Sequence, residues 1–215
     1  MLELFHRGGP IMWPLLVTSV LALATVIERI IFQLREKSRR DPEVVERMLT
    51  EVEHGRITAA IAAGKDSHDY IARVLVYALG HREKSLTNAF LRAAGQELRR
   101  FNRGLPVLDT IITLAPLLGL LGTVTGLIRA FGLLGAQELG SPVAITGGIA
   151  EALIATAFGL AIAITALIPF NYLNARLEQA RNEIQDAGSQ LELLVAGHGA
   201  VKIPEAAEPG GRPAH

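Results

Sequence analysis

Residues Leu105 to Ala136 read LPVLDTIITLAPLLGLLGTVTGLIRAFGLLGA, an apolar run broken by threonine, glycine and proline, with Asp109 and Arg129 as its charges. At ~1.5 Å rise per residue, about 20 apolar residues cross a hydrocarbon core of roughly 30 Å, so the run spans a bilayer with length to spare. Gly119, Gly122 and Gly126 lie along it, and Gly122 with Gly126 forms a small-xxx-small pair that admits a neighbouring backbone. Two more runs complete the count: 11–33, beginning IMWPLLVTSVLALATVIERIIF, and 145–172, ITGGIAEALIATAFGLAIAITALIPFNY. The chain therefore reads as an all-α integral membrane protein with three transmembrane helices, the second and third extended into the cytoplasm.

The first run is too long for the apolar core of a signal peptide, and IERIIFQLREKSRR after it offers no small-residue cleavage site, so it reads as a retained span. Cysteine is absent, which excludes disulfides and Cys-based metal or nucleophile chemistry. Lysine plus arginine and aspartate plus glutamate balance at 21 each, but the positive charges cluster. Arg35, Lys37, Arg39 and Arg40 follow the first span, Arg99, Arg100 and Arg103 precede the second, and Arg176 and Arg181 follow the third. The positive-inside rule places those segments in the cytoplasm. That leaves a short N-terminus at 1–10 and a loop at 137–144 on the outer side. Arg129 lies near the outer end of the second span, where its stem can snorkel to the interface.

The cytoplasmic part is 34–104 plus 173–197. Asp41 and Pro42 mark a helix start, followed by a stripe of Val44, Val45, Met48, Leu49 and Val52, with Gly55 and Gly64 as punctuation. A second helical pattern runs through Ile71, Val74, Leu75, Ala78 and Leu79, breaks near Gly80, and resumes through Leu86, Phe90, Ala93, Glu97 and Phe101. With only Gly104 before the second span, that helix is expected to run on into the membrane. Beyond the third span, Leu173, Leu177, Ala180, Ile184, Ala187, Leu191 and Leu194 form a heptad seam that needs partner helices, shared between the same subunit and a second copy. The segment 198–215 turns to glycine, proline, alanine and charge, the composition of a disordered tail.

Within the third span Gly148, Ala152, Thr156, Gly159, Ala163 and Ala166 form one stripe of small residues, read as a contact between subunits. Glu151 stands beside it near the outer end, where an ionisable group faces protein or water rather than lipid. Asp109 lies at the inner end of the second span, within reach of headgroup water. Thr113, Thr123 and Thr156 are hydroxyls at depth. A threonine in a membrane helix often bonds its own preceding carbonyl, so each alone says little; together they mark a narrow polar seam, with Thr113 and Asp109 toward its inner mouth. Three spans offer no inverted repeat for a secondary transporter. The spans hold no Ser/His, His/Glu or Asp/Asp constellation for an enzyme, and all six histidines lie outside them. A passive membrane scaffold would need the helix seams but not the hydroxyls.

LAPLLGLLGTVTGLIRAF, Leu114 to Phe131, and GGIAEALIATAFGLAIAI, Gly147 to Ile164, resemble the MotA/TolQ/ExbB proton-channel proteins, the ExbB and TolQ branches more than MotA, which has four spans. Glu28 and Arg29 add a looser match. The resemblance implies a homopentameric ring in the bacterial inner membrane, with 1–10 and 137–144 periplasmic, in which the second and third helices surround a pore holding an ExbD- or TolR-type single-span partner. Protons would be the coupling ion, with no other cofactor, passing by Thr123, Thr156 and Glu151 and by an aspartate of the partner. The work would go to a TonB-like or a TolA-like protein; no nucleic-acid partner is implied.

Overall fold

The computed structural model describes residues 2–136 and 142–200, with side chains over 5–132 and 146–197, and it is all-helical. Among the described residues the elements are α1 (Leu2–Arg7), α2 (Met12–Ser38), α3 (Pro42–Glu53), α4 (Ile57–Gly64), α5 (Tyr70–Gly80), α6 (Arg82–Asn102), α7 (Leu105–Ala136) and α8 (Pro142–Ala200). Three of the helices are long and apolar enough to cross a membrane, so the chain is a multi-pass membrane protein. Residues 137–141 and 201–215, the expected loop and most of the expected tail, lie outside the described residues. The chain divides into two compact units, Met1–Ser38 with Leu98–Gln179, and Arg39–Glu97 with Ala180–His215.

The first unit holds α1, α2, the end of α6, α7 and the first part of α8. The buried residues of α2 are Met12, Leu15, Thr18, Ala22, Arg29, Gln33 and Glu36, a stripe at three- and four-residue spacing that turns one side of the helix inward. Its other side shows Trp13, Leu16, Val20, Leu23, Ile27 and Leu34 to the surroundings, which suits lipid rather than water. Ala22, Ile111 and Ala166 form a buried cluster with Ile112 and Ile162 packed on it, so α2, α7 and α8 meet through small residues.

The N-terminal segment adds a feature, and one expectation changes further on. Residues 2–7 of the N-terminal segment form a short helix, and the chain then turns at Gly9, with φ +72°, into α2. Phe5 packs edge-on against Trp13 across that turn, with ring centroids 5.4 Å apart. Further on, α6 does not run into the second span. It ends at Asn102, Gly104 takes φ +83°, and α7 starts at Leu105. A left-handed residue ends the α-helical hydrogen-bond ladder, and glycine adopts it without the steric cost of a Cβ. Arg29 occupies the junction: buried to 3% exposure, it donates from Nη1 to the Arg100 carbonyl at 3.0 Å and from Nε to Glu28 at 2.6 Å. Its guanidinium lies 4.7 Å from the centre of the Phe32 ring.

The second unit holds α3, α4, α5, α6 up to Glu97, and the part of α8 from Ala180. Asp41 caps α3 as expected, accepting from the Val44 amide at 3.3 Å, and Met48 and Val52 are its buried positions. Gly55 takes φ +72° just past the end of α3. The break near Gly80 is present, and α6 carries a second interruption at Ser85, whose Oγ accepts from the Asn88 amide at 3.2 Å and so caps the helix anew. Asp69, 1% exposed, caps α5 by accepting from the Ile71 amide at 2.7 Å, and also accepts from the Asp41 amide at 2.8 Å. Arg40 reaches Asp69 at 3.2 Å and Glu183 at 2.8 Å, and the Tyr70 hydroxyl donates to Glu183 at 2.5 Å. The heptad seam is covered within the chain: Leu173, Leu177, Ala180, Ile184, Ala187 and Leu191 are all buried. Its expected second partner, another copy, is not needed to bury it.

Candidate functional site

Glycines decide how α7 and α8 approach. A Cβ built on Gly159 would stand 2.5 Å from the Ala115 carbonyl oxygen and 3.1 Å from Gly119 Cα; one on Gly119 would stand 3.0 Å from Thr156 Cα. Towards the other end, a Cβ on Gly126 would meet Ala152 Cβ and the Gly148 carbonyl at 3.0 Å, and one on Gly148 would meet Ala130 Cβ at 2.7 Å. Gly122 faces Ala155 and Ile11. Ala152, Ala163 and Ala166 are buried. The small stripe of α8 is thus a packing surface, as its residue types imply, but its partner is α7 of the same chain. The physical reason is proximity: two apolar helices joined by a short connection meet each other's small faces before any second copy. Ile162, which its apolar character alone would send to lipid, packs on the Ala22 cluster instead.

The hydroxyls fall into place around this contact. Thr156 Oγ1 donates to the Gly119 carbonyl at 3.0 Å, a bond between helices made where the glycines bring the backbones together. Thr123 Oγ1 donates to its own helix at Leu120, 2.6 Å away, and Thr113 does so at Asp109 and Thr110, at 3.2 and 2.9 Å. Asp109 and Thr113 are exposed within the chain. At about 100° per residue, Thr123 sits roughly 40° from Gly119 around α7, and Thr156 roughly 60° from Gly159 around α8. Because the helices are antiparallel, both offsets point to one side of the contact. Ala22 of α2 packs on the other side, where Ile111 and Ile162 lie. Thr123 and Thr156 therefore share the side of the α7/α8 contact that α2 leaves open, and Asp109 and Thr113 lie further round α7 on that same side.

Glu151 does not join them. Five residues from Thr156, it is turned about 140° around α8, to the α2 side. There its Oε1 accepts from Arg129 Nη1 at 2.9 Å, and it abuts Gly9 in the turn before α2. Arg129 is thus ion-paired rather than simply snorkelling. Sequence reasoning missed this pair although a signal existed: the two opposite charges stand about two turns from either end of the α7/α8 connection, a mirror placement that antiparallel helices bring together.

Residues 64–186, which include both glycine-bearing faces, match the MotA/TolQ/ExbB proton channel family. Over 200 residues the chain is 41% identical to the biopolymer transport protein ExbB-like 1 of Synechocystis sp., covering 90% of this chain and 78% of that protein. It is 32% identical over 188 residues to the ExbB homolog of Methanothermobacter thermautotrophicus, covering 86% and 66%. The Tol-Pal system protein TolQ of Haemophilus influenzae is 35% identical over 109 residues, covering 51% and 46%. The relatives matched over most of the chain are named ExbB-like or ExbB homolog, which puts the chain with the ExbB-like biopolymer transport proteins, which are channel and transport components and not enzymes. The chain belongs to the MotA/TolQ/ExbB proton channel family.

Proposed function

We propose that this chain is the ring-forming subunit of a proton-driven motor in the bacterial inner membrane, with its N-terminus periplasmic and its C-terminus cytoplasmic. Copies, five to a ring, would turn the open side of α7 and α8 to a central pore filled by an ExbD-like single-span partner, and the motor would drive a TonB-like protein for transport across the outer membrane. One observation carries the reading: Thr123 and Thr156 share the side of the α7/α8 contact that α2 leaves uncovered, so the chain offers hydroxyls where a pore would need them. Hydroxyls can hold water and bond a carboxylate, but they do not titrate in the physiological range. With Glu151 tied to Arg129 and Asp109 near the end of α7, the proton carrier at mid-span comes from the partner. Thr113 and Asp109 would line the cytoplasmic mouth.

The test is proton flux in liposomes holding the chain with its single-span partner, read by an entrapped pH dye. Thr123→Val and Thr156→Val keep the side-chain shape and should each abolish most of the flux. Full flux in both variants removes the hydroxyls from the pathway. Absence of flux in the unmodified complex makes the chain a scaffold.

A further inference from the structure

Where α7 gives way to α8, an ion pair lies outside the hydroxyl row. Arg129 Nη1 and Glu151 Oε1 are 2.9 Å apart, with the side chains 54% and 23% exposed. The same carboxylate rests on the turn between α1 and α2, since a Cβ on Gly9 would stand 1.8 Å from Glu151 Oε1, and one on Gly8 would stand 3.1 Å from Ile154 Cγ2. Gly9 has φ +72°, so the bare backbone both makes the turn and lets the carboxylate approach. Met12, the first residue of α2, is 2% exposed, and its Sδ would lie 2.6 Å from a Cβ on Gly8. The α1–α2 turn, α7 and α8 converge on one carboxylate.

We propose that Arg129 is a positioning residue: its guanidinium pins the Glu151 carboxylate on the α2 side of the α7/α8 contact, against Gly9, and so latches the α1–α2 turn to the α7/α8 hairpin. A carboxylate in a membrane helix needs such a partner, and attraction between opposite charges strengthens as water thins around them. The latch depends on the motor reading only for its consequence, that the carboxylate stays off the hydroxyl row. Its mechanics are independent of proton flow.

The chain has no cysteine, so Met12→Cys gives a single reporter beneath the turn. In the full-length chain in nanodiscs, a soluble maleimide should label that cysteine slowly. Arg129→Gln and the near-isosteric Glu151→Gln should each speed labelling about tenfold by letting the turn open locally, while Arg129→Lys keeps it slow. Molar salt should speed labelling of the unmodified pair and leave the neutral variants unchanged, because screening acts on charge and not on packing. Labelling at the unmodified rate in either neutral variant overturns the latch. Flux of the same proteins in liposomes with the single-span partner reports separately: none in the unmodified chain sinks the motor reading, while the labelling rates still decide the latch.

Discussion

At the scale of single residues, two threonines of one type differ by what their hydroxyls reach. Thr156 bonds the Gly119 carbonyl of another helix, and Thr123 bonds its own. Thr156→Val should then lower the unfolding free energy in detergent by about 0.6 kcal/mol, the average for an interhelical bond in a membrane bundle. Thr123→Val should lower it less, although both variants lose proton flux; equal, large losses of stability would contradict the assignment. Gly159 is more demanding, because the atom nearest an added Cβ is the Ala115 backbone oxygen at 2.5 Å. Backbone cannot rotate away as a side chain can, so Gly159→Ala should cost ~1–3 kcal/mol, the range for overpacking. Ile164→Leu, at a position 60% exposed, should leave stability unchanged. Steric-trapping measurements on the reconstituted chain would compare the four variants. Depth and hydroxyl content of these threonines were legible in the sequence; which carbonyl each one meets was not, since that depends on the register of α7 against α8.

Among the elements, the capped start at Asp41 was legible and the continuity of α6 was not. Asp41, Asp69 and Ser85 accept from amides in the first turns they precede, and capping is a local event written in adjacent residues. The stop before Gly104 also has a local sign in glycine, but Arg29 of α2 completes it from a distance by accepting the role of donor to the Arg100 carbonyl. Arg29→Met removes that charge-assisted hydrogen bond and should cost about 1.5–3 kcal/mol, read as faster hydrogen exchange over the last turn of α6; unchanged exchange would mean that Gly104 alone ends the helix. At α5, burial first and the hydrogen bond to Glu183 second push the Tyr70 hydroxyl well above its ordinary value of 10.0. A group raised in the folded state contributes stability that is complete below its unfolded value and fades as pH climbs toward the folded one. Melting of the chain should therefore hold steady up to about pH 10 and fall above it. Tyr70→Phe should flatten that fall, and an identical alkaline profile in the variant would show that another group sets it.

For the whole molecule, the seam after the third span shows how far pattern reading goes. Its spacing identifies a helix that must bury one stripe, and Ala180, Ile184, Ala187 and Leu191 are buried within the chain. Leu191, 1% exposed, is a core position, so Leu191→Ala should cost ~2–5 kcal/mol. Native mass spectrometry should show the same subunit number before and after that change, because the chain buries the seam without a second copy; a smaller particle would return it to the interface. Three spans, basic clusters beside them, glycine-bearing faces and family membership were all present in the sequence, because hydropathy, charge and motif are properties of neighbouring residues in one chain. The side of the α7/α8 contact on which a residue stands is another matter. Glu151 and Thr156 belong to the same short stretch, yet about 140° separates them around the helix, and only the placement of α2 against Ile111 and Ile162 makes one side covered and the other open. The sequence by itself determined which helices cross the membrane and that they pack through small residues; the tertiary structure decided that α7 is the partner of α8, that the hydroxyls face away from α2, and that Glu151 is held by Arg129, because those outcomes depend on distances between segments far apart in the chain.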